Sequence, residues 1–389
     1  MKSDIESLIQ QFNQYDHAIY FATPDQQHQF FGFGKASALQ SSSIEEIKNW
    51  QAQQTTPVFG GLPFDKQHLD SKIMNGYFIA PQYVIDVSTQ QSWGNLPKFH
   101  NIPAKSSLNK LVSTINDSNW IERAEIPLRE MQNDATKQKV VLGMQQTLNL
   151  QHPLYVANLI TTLIKEQPNS YHFVLKDYDE LFVSATPERL IKLQQNQIAT
   201  AAVAGTINRS SNEATDQALA RELQHDNKNL YEHELVVQEI TTKIAHLADL
   251  SYPPTPEILK TPQVQHLYTP ITGTLNQNES ILNLVNALHP TPALGGIPLS
   301  WALNQIKQTE IKPRGLFAAP IGYLLPNGDG EFVIGIRSLW QTGNTIHLFA
   351  GAGILAASNL PNEAHEINLK MSVMKDIIKE QINERTTNQ

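Results

Sequence analysis

Cysteine is absent from the 389-residue sequence, and positive charge is nowhere concentrated. Without cysteine the chain has no disulfide, no thiolate nucleophile and no cysteine-ligated zinc or iron–sulfur site, so any metal must be held by oxygen or imidazole ligands. The net charge is −8, and no cluster of lysine and arginine is denser than "IKPR". A nucleic-acid partner is therefore not expected, because such binding needs a basic surface.

Long apolar runs are absent too. No run approaches the roughly 18 apolar residues of a membrane span, and the opening "MKSDIESLIQQFNQYDH" lacks the apolar segment of a signal peptide. We therefore expect a cytoplasmic protein with no membrane partner. Hydrophobic residues make up 40% of the chain and charged residues 17%, which is enough apolar material for a packed core.

The order of segments predicts an α+β fold. Strand-like segments occur in groups with long helices between the groups, which favours mainly antiparallel sheets. A linker-like stretch at about 96–113 separates an N-terminal portion, 1–112, from a larger portion, 113–389, within one compact fold. Helical periodicity predicts helices over 44–54, 213–249, 279–288 and 363–382.

The stretch "NALHPTPALGGIP", residues 286–298, combines one histidine, three prolines and two glycines. Pro290 and Pro292 remove two backbone donors and restrict φ, while Gly295 and Gly296 permit backbone angles closed to other residues. We predict a rigid loop, neither a regular helix nor a central strand, whose shape serves a ligand.

The last predicted helix carries charged residues beside its apolar stripe. Glu363, Glu366 and Lys370 lie together on one flank of that stripe, where two carboxylates suit Mg²⁺. The same spacing fits a surface ion pair between Glu366 and Lys370, and spacing alone favours this simpler interpretation. The stripe itself consists of Ile367, Met371, Met374 and Ile378.

Two further features each allow two interpretations. The "GAG" of Gly351–Gly353 could bring backbone N–H groups close to an anion, or could form a simple turn. Lys139 begins the apolar run "KVVLGM". Facing inward, it would have a lowered pKa and supply a neutral amine as a general base, whereas the residues alone favour a lysine that reaches water.

Glu188 and Arg337 are further candidates, whereas periodicity gives Glu232 no special status. Glu188 in "SATPERL" would be a proton donor if burial raised its pKa, or an ordinary partner of Arg189. Glu232 in "NLYEHELVV" lies off the centre of its helical stripe, and the zinc pattern HExxH is absent. Arg337 in "EFVIGIRSLW" stands inside a strand-like run, where a buried arginine needs a protein carboxylate or an anionic ligand.

Nine motifs follow one another along the chain: "KVVL", "SATPERL", "AVAGT", "YEHELV", "VQHL", "LHPTPALGG", "RGLFAAPIGY", "GDGEFVIGIRS" and "LFAGAGIL" running on to "EAHEINLK". In this order they resemble the chorismate-binding enzymes over roughly residues 115–385, with a looser match before that. The loop motif "LHPTPALGG" resembles the branch of isochorismate synthases, so the resemblance implies a loop shaped around chorismate.

The resemblance implies a chorismate-binding fold, with large antiparallel sheets packed as a sandwich and helices outside. It also implies the Mg²⁺-dependent conversion of chorismate to isochorismate, in which water adds at C2 and the C4 hydroxyl leaves. Lys139 matches the general base that activates water, and Glu188 matches the acid that protonates the departing hydroxyl. Mg²⁺ would be bound by Glu232 and Glu366, with Glu363 nearby.

The resemblance also implies the substrate-binding residues. Ala293 would lie against the substrate ring, several groups would hold its carboxylates, and others would form pocket walls. The carboxylate-binding groups would be Gly205, Thr206, Arg337, Gly351, Ala352, Gly353 and Lys370, and the walls His266, Phe317 and Ile336. Two departures from the family pattern, Met144 and Ile367, replace an arginine and a threonine without removing a reacting group.

The motifs leave three other functions open. Sister reactions of the family form salicylate with loss of pyruvate, or aminate chorismate with a glutaminase subunit, and a third possibility is a binding protein without activity. The loop motif argues against both sister reactions. We expect a monomer with no glutaminase partner, whose product feeds catechol siderophores through 2,3-dihydroxybenzoate or, alternatively, menaquinone; the sequence "PALGG" favours the first.

Overall fold

The structure is a computed structural model that describes residues 2–99, 109–261 and 264–383. The chain forms two compact units. The first unit comprises Met1–Glu188, Pro290–Pro326 and Val333–Gln389, and the second Arg189–His289 and Asn327–Phe332.

The first unit holds most of the strands and six of the helices found in the described residues. A short 3₁₀ helix, Ile73–Asn75, lies among its early strands. Its strands are β1 His17–Ala22, β2 Gln29–Phe33, β3 Ser37–Gln40, β4 Val58–Gly61, β5 Tyr77–Ala80, β6 Tyr83–Asp86, β7 Gln91–Gly94, β8 Asn109–Ile115, β9 Lys139–Leu150, β10 Tyr171–Asp177, β11 Glu180–Thr186, β17 Gly296–Ile297, β18 Pro320–Leu324, β20 Ser338–Thr342, β21 Thr345–Leu355 and β22 Ile382–Asn383. Its helices are α1 Lys2–Gln11, α2 Ile44–Gln51, α3 Trp120–Asn133, α4 Val156–Glu166, α8 Leu299–Thr309 and α9 Leu360–Lys379.

The second unit contributes five whole strands and three helices to the described chain. Strand β19, Gly330–Ile334, begins in this unit and ends in the first. The other strands are β12 Arg189–Gln194, β13 Gln197–Asn208, β14 Ala248–Ser251, β15 Glu257–Lys260 and β16 Val264–Leu275. The helices are α5 Glu213–His225, α6 Asn227–Ile244 and α7 Ile281–Leu288.

A large sheet forms the framework of the first unit. In the described residues its strand order is β22-β8-β9-β21-β20-β11-β10-β1-β2-β6-β7, with β17 paired to the end of β9. The pairs β9–β21, β21–β20 and β20–β11 are antiparallel, and β22 runs parallel to β8. Strand β9 buries Val140, Leu142, Leu148 and Leu150, which is the alternation of a strand with one face in the core.

The large sheet packs against a second sheet segment within the first unit. Strands β18, β4, β5 and β3 form this segment. Aromatic rings join the two layers: Phe21 lies 5.0 Å from Tyr323, and Phe30 lies 5.6 Å from Phe59, between ring centroids. Helix α9 packs on the large sheet through its buried Ile367, Met371, Met374 and Ile378, as its periodicity predicted. The predicted α+β fold with mainly antiparallel sheets is confirmed.

The second unit is built on two long antiparallel strands. Strands β13 and β16 pair from Gln197–Thr274 to Asn208–Val264, with an irregularity between Ala204 and Thr206. A small core of Ala202, Val237 and Ile271 lies between these strands and α6. The apolar helix α7 is anchored by a serine N-cap, because the side chain of Ser280 accepts from the backbone N–H of Asn283.

Two sequence-based predictions of elements are wrong. The helix predicted over 213–249 is two helices followed by a strand, because Asp226 ends α5 and caps α6, its carboxylate accepting the Asn229 N–H at 2.8 Å. The strand-like run "EFVIGIRSLW" is likewise broken between β19 and β20. The predicted helices over 44–54, 279–288 and 363–382 are confirmed as α2, α7 and α9, each starting or ending a few residues away.

The loop over 286–298 differs from its prediction at both ends. Its first three residues complete helix α7, and Gly296–Ile297 form the two-residue strand β17 on β9; between them the chain is irregular, as predicted. Part of the predicted linker, residues 100–108, lies outside the described residues, and the division at residue 112 stays a prediction. Searched over the described residues, no helix is long and apolar enough to cross a bilayer.

Candidate active site

Lys139 occupies the first position of β9, opposite Leu355 of β21. The residue is half-buried. Its side chain passes over Gly353, where a Cβ would lie 3.0 Å from the lysine Cε and 3.7 Å from Nζ. The glycine therefore leaves room for the ammonium group to lie on the face of the sheet instead of extending away from it. The Lys139 side chain thus lies along the sheet beside Gly353.

Glu188 follows the end of β11 by two residues and is half-buried. Its backbone is fixed at both ends: its N–H donates to Thr186 Oγ1 at 3.2 Å, and its carbonyl accepts from the Ile334 N–H at 3.0 Å. Burial raises the pKa of Glu188 to about 6, although the positive charges of Lys139 and Arg337 act in the opposite direction. A carboxyl group with this pKa is partly protonated near neutral pH and can donate a proton.

The sequence predicted Arg337 inside a strand, and this prediction is wrong. It stands in the turn between β19 and β20 with φ of +46°, a left-handed conformation that is strained for a residue other than glycine. The Ser184 hydroxyl donates to the carbonyl of Ile336 at 2.7 Å, and the Ala185 N–H donates to the carbonyl of Arg337 at 3.1 Å. These bonds hold the guanidinium beside Glu188, where burial lowers the pKa of Arg337 and Glu188 opposes that effect.

Gly351–Gly353 lie within β21, so the interpretation as a turn is wrong. Gly351, Ala352 and Gly353 pair with Gly143, Leu142 and Val141 of β9. Ala352 is buried, whereas the two glycines are half-buried. The predicted walls Phe317 and Ile336 are buried and half-buried, and Phe317 stacks on Phe349 with 5.3 Å between centroids.

The irregular loop reaches this region through main-chain hydrogen bonds. The Val141 N–H donates to the carbonyl of Gly295 at 2.9 Å, and the Gln138 N–H donates to that of Ile297 at 2.9 Å. Gly296 has φ of +138°, and a Cβ there would lie 2.2 Å from the carbonyl oxygen of Lys139. Only glycine allows this close approach. Ala293, ahead of the anchored part, is exposed.

The charged residues of α9 form the predicted surface pair and also contact the sheet. Lys370 Nζ lies 2.6 Å from a carboxylate oxygen of Glu366, and it donates to the carbonyl of Gly351 at 3.1 Å. Glu363 is half-buried and accepts from the Ser358 hydroxyl at 2.8 Å. The helix thus presents two carboxylates one turn apart, next to the strand that carries Gly351.

These carboxylates fit the chemistry of Mg²⁺. Among the described residues, no three His, Asp or Glu side chains lie close enough together to hold a metal ion. Mg²⁺ does not need such a cluster, because it is usually bound by one or two carboxylates completed by water and substrate oxygens. Glu363 and Glu366 offer that donor set.

The remaining predicted residues belong to the second unit. Gly205 is buried with φ of +72° at the irregularity in β13, which exposes the following Thr206. Thr206 Oγ1 lies 3.0 Å from Nδ1 of the half-buried His266, whose pKa is lowered by burial. Glu232 is exposed on α6. The neighbouring His233 is buried, and its Nε2 lies 2.7 Å from Oγ1 of Thr269.

Sequence reasoning missed a buried ion pair, Glu310–Arg314, that contacts both β9 and the loop. The signal was present, since an acid and a base four residues apart can meet on one face. It was overlooked because neither residue lies in a segment with strong periodicity, although Arg314 opens the motif "RGLFAAPIGY".

With this geometry in view, comparison with known proteins decides the family. Residues 88–379 match the model described as "Chorismate binding enzyme", which covers most of the chain. The chain belongs to this family. Isochorismate synthase MenF of Bacillus subtilis (strain 168) is 39% identical to this chorismate-binding enzyme over 255 residues, 65% of this chain and 53% of that protein.

Two further relatives extend the comparison. The salicylate biosynthesis isochorismate synthase of Pseudomonas aeruginosa is 39% identical over 241 residues, 62% of this chain and 50% of that protein. The chain thus spans about half the length of these two curated relatives. The structure of MenF, the menaquinone-specific isochorismate synthase from Escherichia coli, superposes with a TM-score of 0.81 at 22% identity, covering 95% of this chain and 91% of that one, and so shares the fold.

Proposed function

We propose that the chain is an isochorismate synthase, which isomerises chorismate to isochorismate by adding water at C2 and losing the C4 hydroxyl. The observation that carries the proposal is Glu188, a carboxyl group with a pKa raised to about 6 close to the side chains of Lys139 and Arg337. The names of the two relatives at 39% identity support the same reaction.

The proposed chemistry is a pair of proton transfers. Neutral Lys139 takes a proton from water as the oxygen bonds to C2, and protonated Glu188 gives a proton to the C4 hydroxyl as the C–O bond breaks. Water is consumed and released, so the reaction is a net isomerisation. Exchange with solvent then restores neutral Lys139 and protonated Glu188. The environment of Glu188 suits this role, because desolvation of its carboxyl group favours the protonated form.

Other residues of this chain would bind the two carboxylates of chorismate. Arg337 presents its guanidinium beside Glu188, and Lys370 lies at the edge of the strand that carries Gly351. The family resemblance also assigns carboxylate binding to Gly205 and Thr206. It assigns the walls of the substrate pocket to Phe317, Ile336 and His266. Ala293 would contact the ring.

We also propose a Mg²⁺ ion, for which the family resemblance names Glu232 and Glu366 as ligands, with Glu363 nearby. Their carboxylate oxygens are the ligand type that this ion prefers. When bound, the ion would neutralise a substrate carboxylate and fix its orientation.

The test is to incubate the pure protein with chorismate and Mg²⁺, with and without EDTA, and to resolve the products by chromatography. Isochorismate as the only Mg²⁺-dependent product is the expected result. Unchanged chorismate would overturn the proposal and leave a binding protein. Salicylate with pyruvate would instead support the second candidate, a salicylate synthase, against which the "LHPTPALGG" loop argues.

The setting of the reaction is proposed from the sequence. We propose a monomeric cytoplasmic enzyme that works without a glutaminase subunit, and a product that enters 2,3-dihydroxybenzoate and catechol siderophore synthesis, with menaquinone synthesis as the alternative. Size-exclusion chromatography tests the oligomeric state. Growth of a deletion strain with added 2,3-dihydroxybenzoate or added menaquinone distinguishes the two pathways.

A further inference from the structure

A buried ion pair lies where helix α8 ends. Arg314 Nη2 is 2.5 Å from Glu310 Oε1, and Nε lies 3.0 and 3.1 Å from the two carboxylate oxygens. The side chains are only 2% and 9% exposed. Burying a charged pair is costly unless its remaining hydrogen-bonding groups are satisfied. The other partners of the pair therefore indicate what it does.

The guanidinium of Arg314 joins the loop to strand β9. Nη1 donates to the carbonyl of Leu294 at 2.8 Å, and Nη2 donates to the carbonyl of Val141 at 2.7 Å. Its planar group is enclosed by aromatic rings, with its carbon 4.2 Å from the centroid of Phe64 and 5.6 Å from that of Phe317. One rigid group thus fixes the spacing between two segments that are far apart in sequence.

Glu310 completes the connection on β9. Its Oε1 accepts the N–H of Gly143 at 2.6 Å, so the ion pair contacts β9 at both Val141 and Gly143. Lys139 lies two residues before Val141, and Ala293 immediately precedes Leu294. The hydrogen bonds of the pair therefore reach the backbone close to both of these residues.

We propose that Glu310 and Arg314 are positioning residues: together they hold the strand that carries Lys139 and the loop that carries Ala293 at a fixed separation. This role rests on the proposed isochorismate synthase function. A loss of the pair moves the catalytic amine relative to the bound ring, and a displacement of about 1 Å can lower the rate about 100-fold.

Two conservative variants separate the contributions of the pair. Arg314→Lys keeps the positive charge but loses the planar fork that reaches two carbonyls, and Glu310→Gln keeps an acceptor for Gly143 but loses the charge. Matched controls are Arg209→Lys, which alters the Arg209–Asp216 pair at 2.7 Å, and Asp177→Asn, which removes a buried carboxylate that accepts from Tyr77.

The measurements are kcat and KM for chorismate, melting temperature, and amide hydrogen exchange of the peptides covering 139–145 and 289–298. We expect kcat/KM to fall about 100-fold for Arg314→Lys and about 10-fold for Glu310→Gln, with exchange accelerated in those two peptides. We expect the two control variants to lower the melting temperature about as much as Arg314→Lys and Glu310→Gln do, but to keep kcat/KM within about threefold of wild type.

The outcomes are distinguishable. Wild-type protein that leaves chorismate unchanged refutes the proposed function, and the positioning role falls with it. Active wild-type protein whose Arg314→Lys and Glu310→Gln variants lose no more activity than the controls refutes the positioning role alone. If Arg314→Lys does not fold, Glu310→Gln, which retains the Gly143 acceptor, decides by the same comparison.

Discussion

Glu188 and Lys139 matter through their surroundings more than through their residue types. Glu188 is placed two residues beyond a buried strand, where its pKa is raised to about 6. Lys139 is turned onto the sheet because Gly353 has no side chain. At the residue scale, function therefore depends on how backbone elements bury or bend single side chains.

Removing either of the two proposed reacting groups should abolish most of the activity. We expect Glu188→Gln and Lys139→Met each to lower kcat for isochorismate formation about 10²- to 10⁴-fold, the usual contribution of a general acid or base. Product chromatography measures the rate. Lys137→Met is the control, because Lys137 lies two residues before Lys139 and its Nζ lies 2.9 Å from a carboxylate oxygen of Glu130. Variants of Lys139 or Glu188 as active as this control would contradict the assignment.

Glu188 should also make stability depend on pH. Its pKa is raised from 4.5 unfolded to about 6 folded, so the folded state binds its proton more tightly. The stabilisation is therefore present below pH 4.5 and is lost as the pH rises through 6, by at most about 2 kcal/mol. Urea unfolding of wild type and Glu188→Gln between pH 4 and about 7.5 measures the difference. A pH dependence that is identical in both proteins would contradict it.

At the scale of elements, the short strand β17 depends on one glycine. A Cβ at position 296 would lie 2.2 Å from the carbonyl oxygen of Lys139, at φ of +138°. Backbone strain alone typically costs about 1–3 kcal/mol. Because the steric clash adds to this strain, Gly296→Ala should lower the free energy of unfolding by about 3 kcal/mol or more. Gly328→Ala is the matched control, since Gly328 also has positive φ, +91°, but has no atom within 4 Å. Equal losses in urea unfolding would show that the close approach is unimportant.

The carboxylate of Glu366 on helix α9 should affect how much Mg²⁺ the activity requires. Glu366→Gln should raise the Mg²⁺ concentration for half-maximal activity about 10-fold or more, because it removes one of two charged donors. Glu239→Gln provides the comparison, as Glu239 forms the same i, i+4 pair with Lys243 on α6 at 2.9 Å. Titration of activity with Mg²⁺ gives both values. An unchanged Mg²⁺ requirement in Glu366→Gln would exclude Glu366 as a ligand.

At the scale of the whole molecule, the sequence predicts those features that appear as a periodic pattern of apolar residues along one element. The apolar stripe of α9 follows from local periodicity, because a residue's burial on a helix depends on its neighbours three or four positions away. The division of 213–249 into two helices was missed, since Asp226 resembles an ordinary polar helix residue until its capping bond is seen.

The parts of the site that escaped prediction depend on long-range contacts. The sequence predicts Arg337 to lie within a strand. Its turn is instead fixed by a hydrogen bond from the Ser184 hydroxyl, more than 150 positions away, to the carbonyl of Ile336. Glu310 and Arg314 were overlooked because their partners Gly143 and Leu294 come from distant segments. Resemblance to a family supplied Glu232, which periodicity left without any special status.

The irregular loop is attached to its surroundings through its own main-chain oxygens: those of Leu294, Gly295 and Ile297 accept from Arg314, Val141 and Gln138. Such anchoring does not depend on which side chains the preceding positions carry. Substitutions at 291–293 can therefore accumulate in evolution without detaching the loop, so that new substrate preferences can arise on an unchanged scaffold.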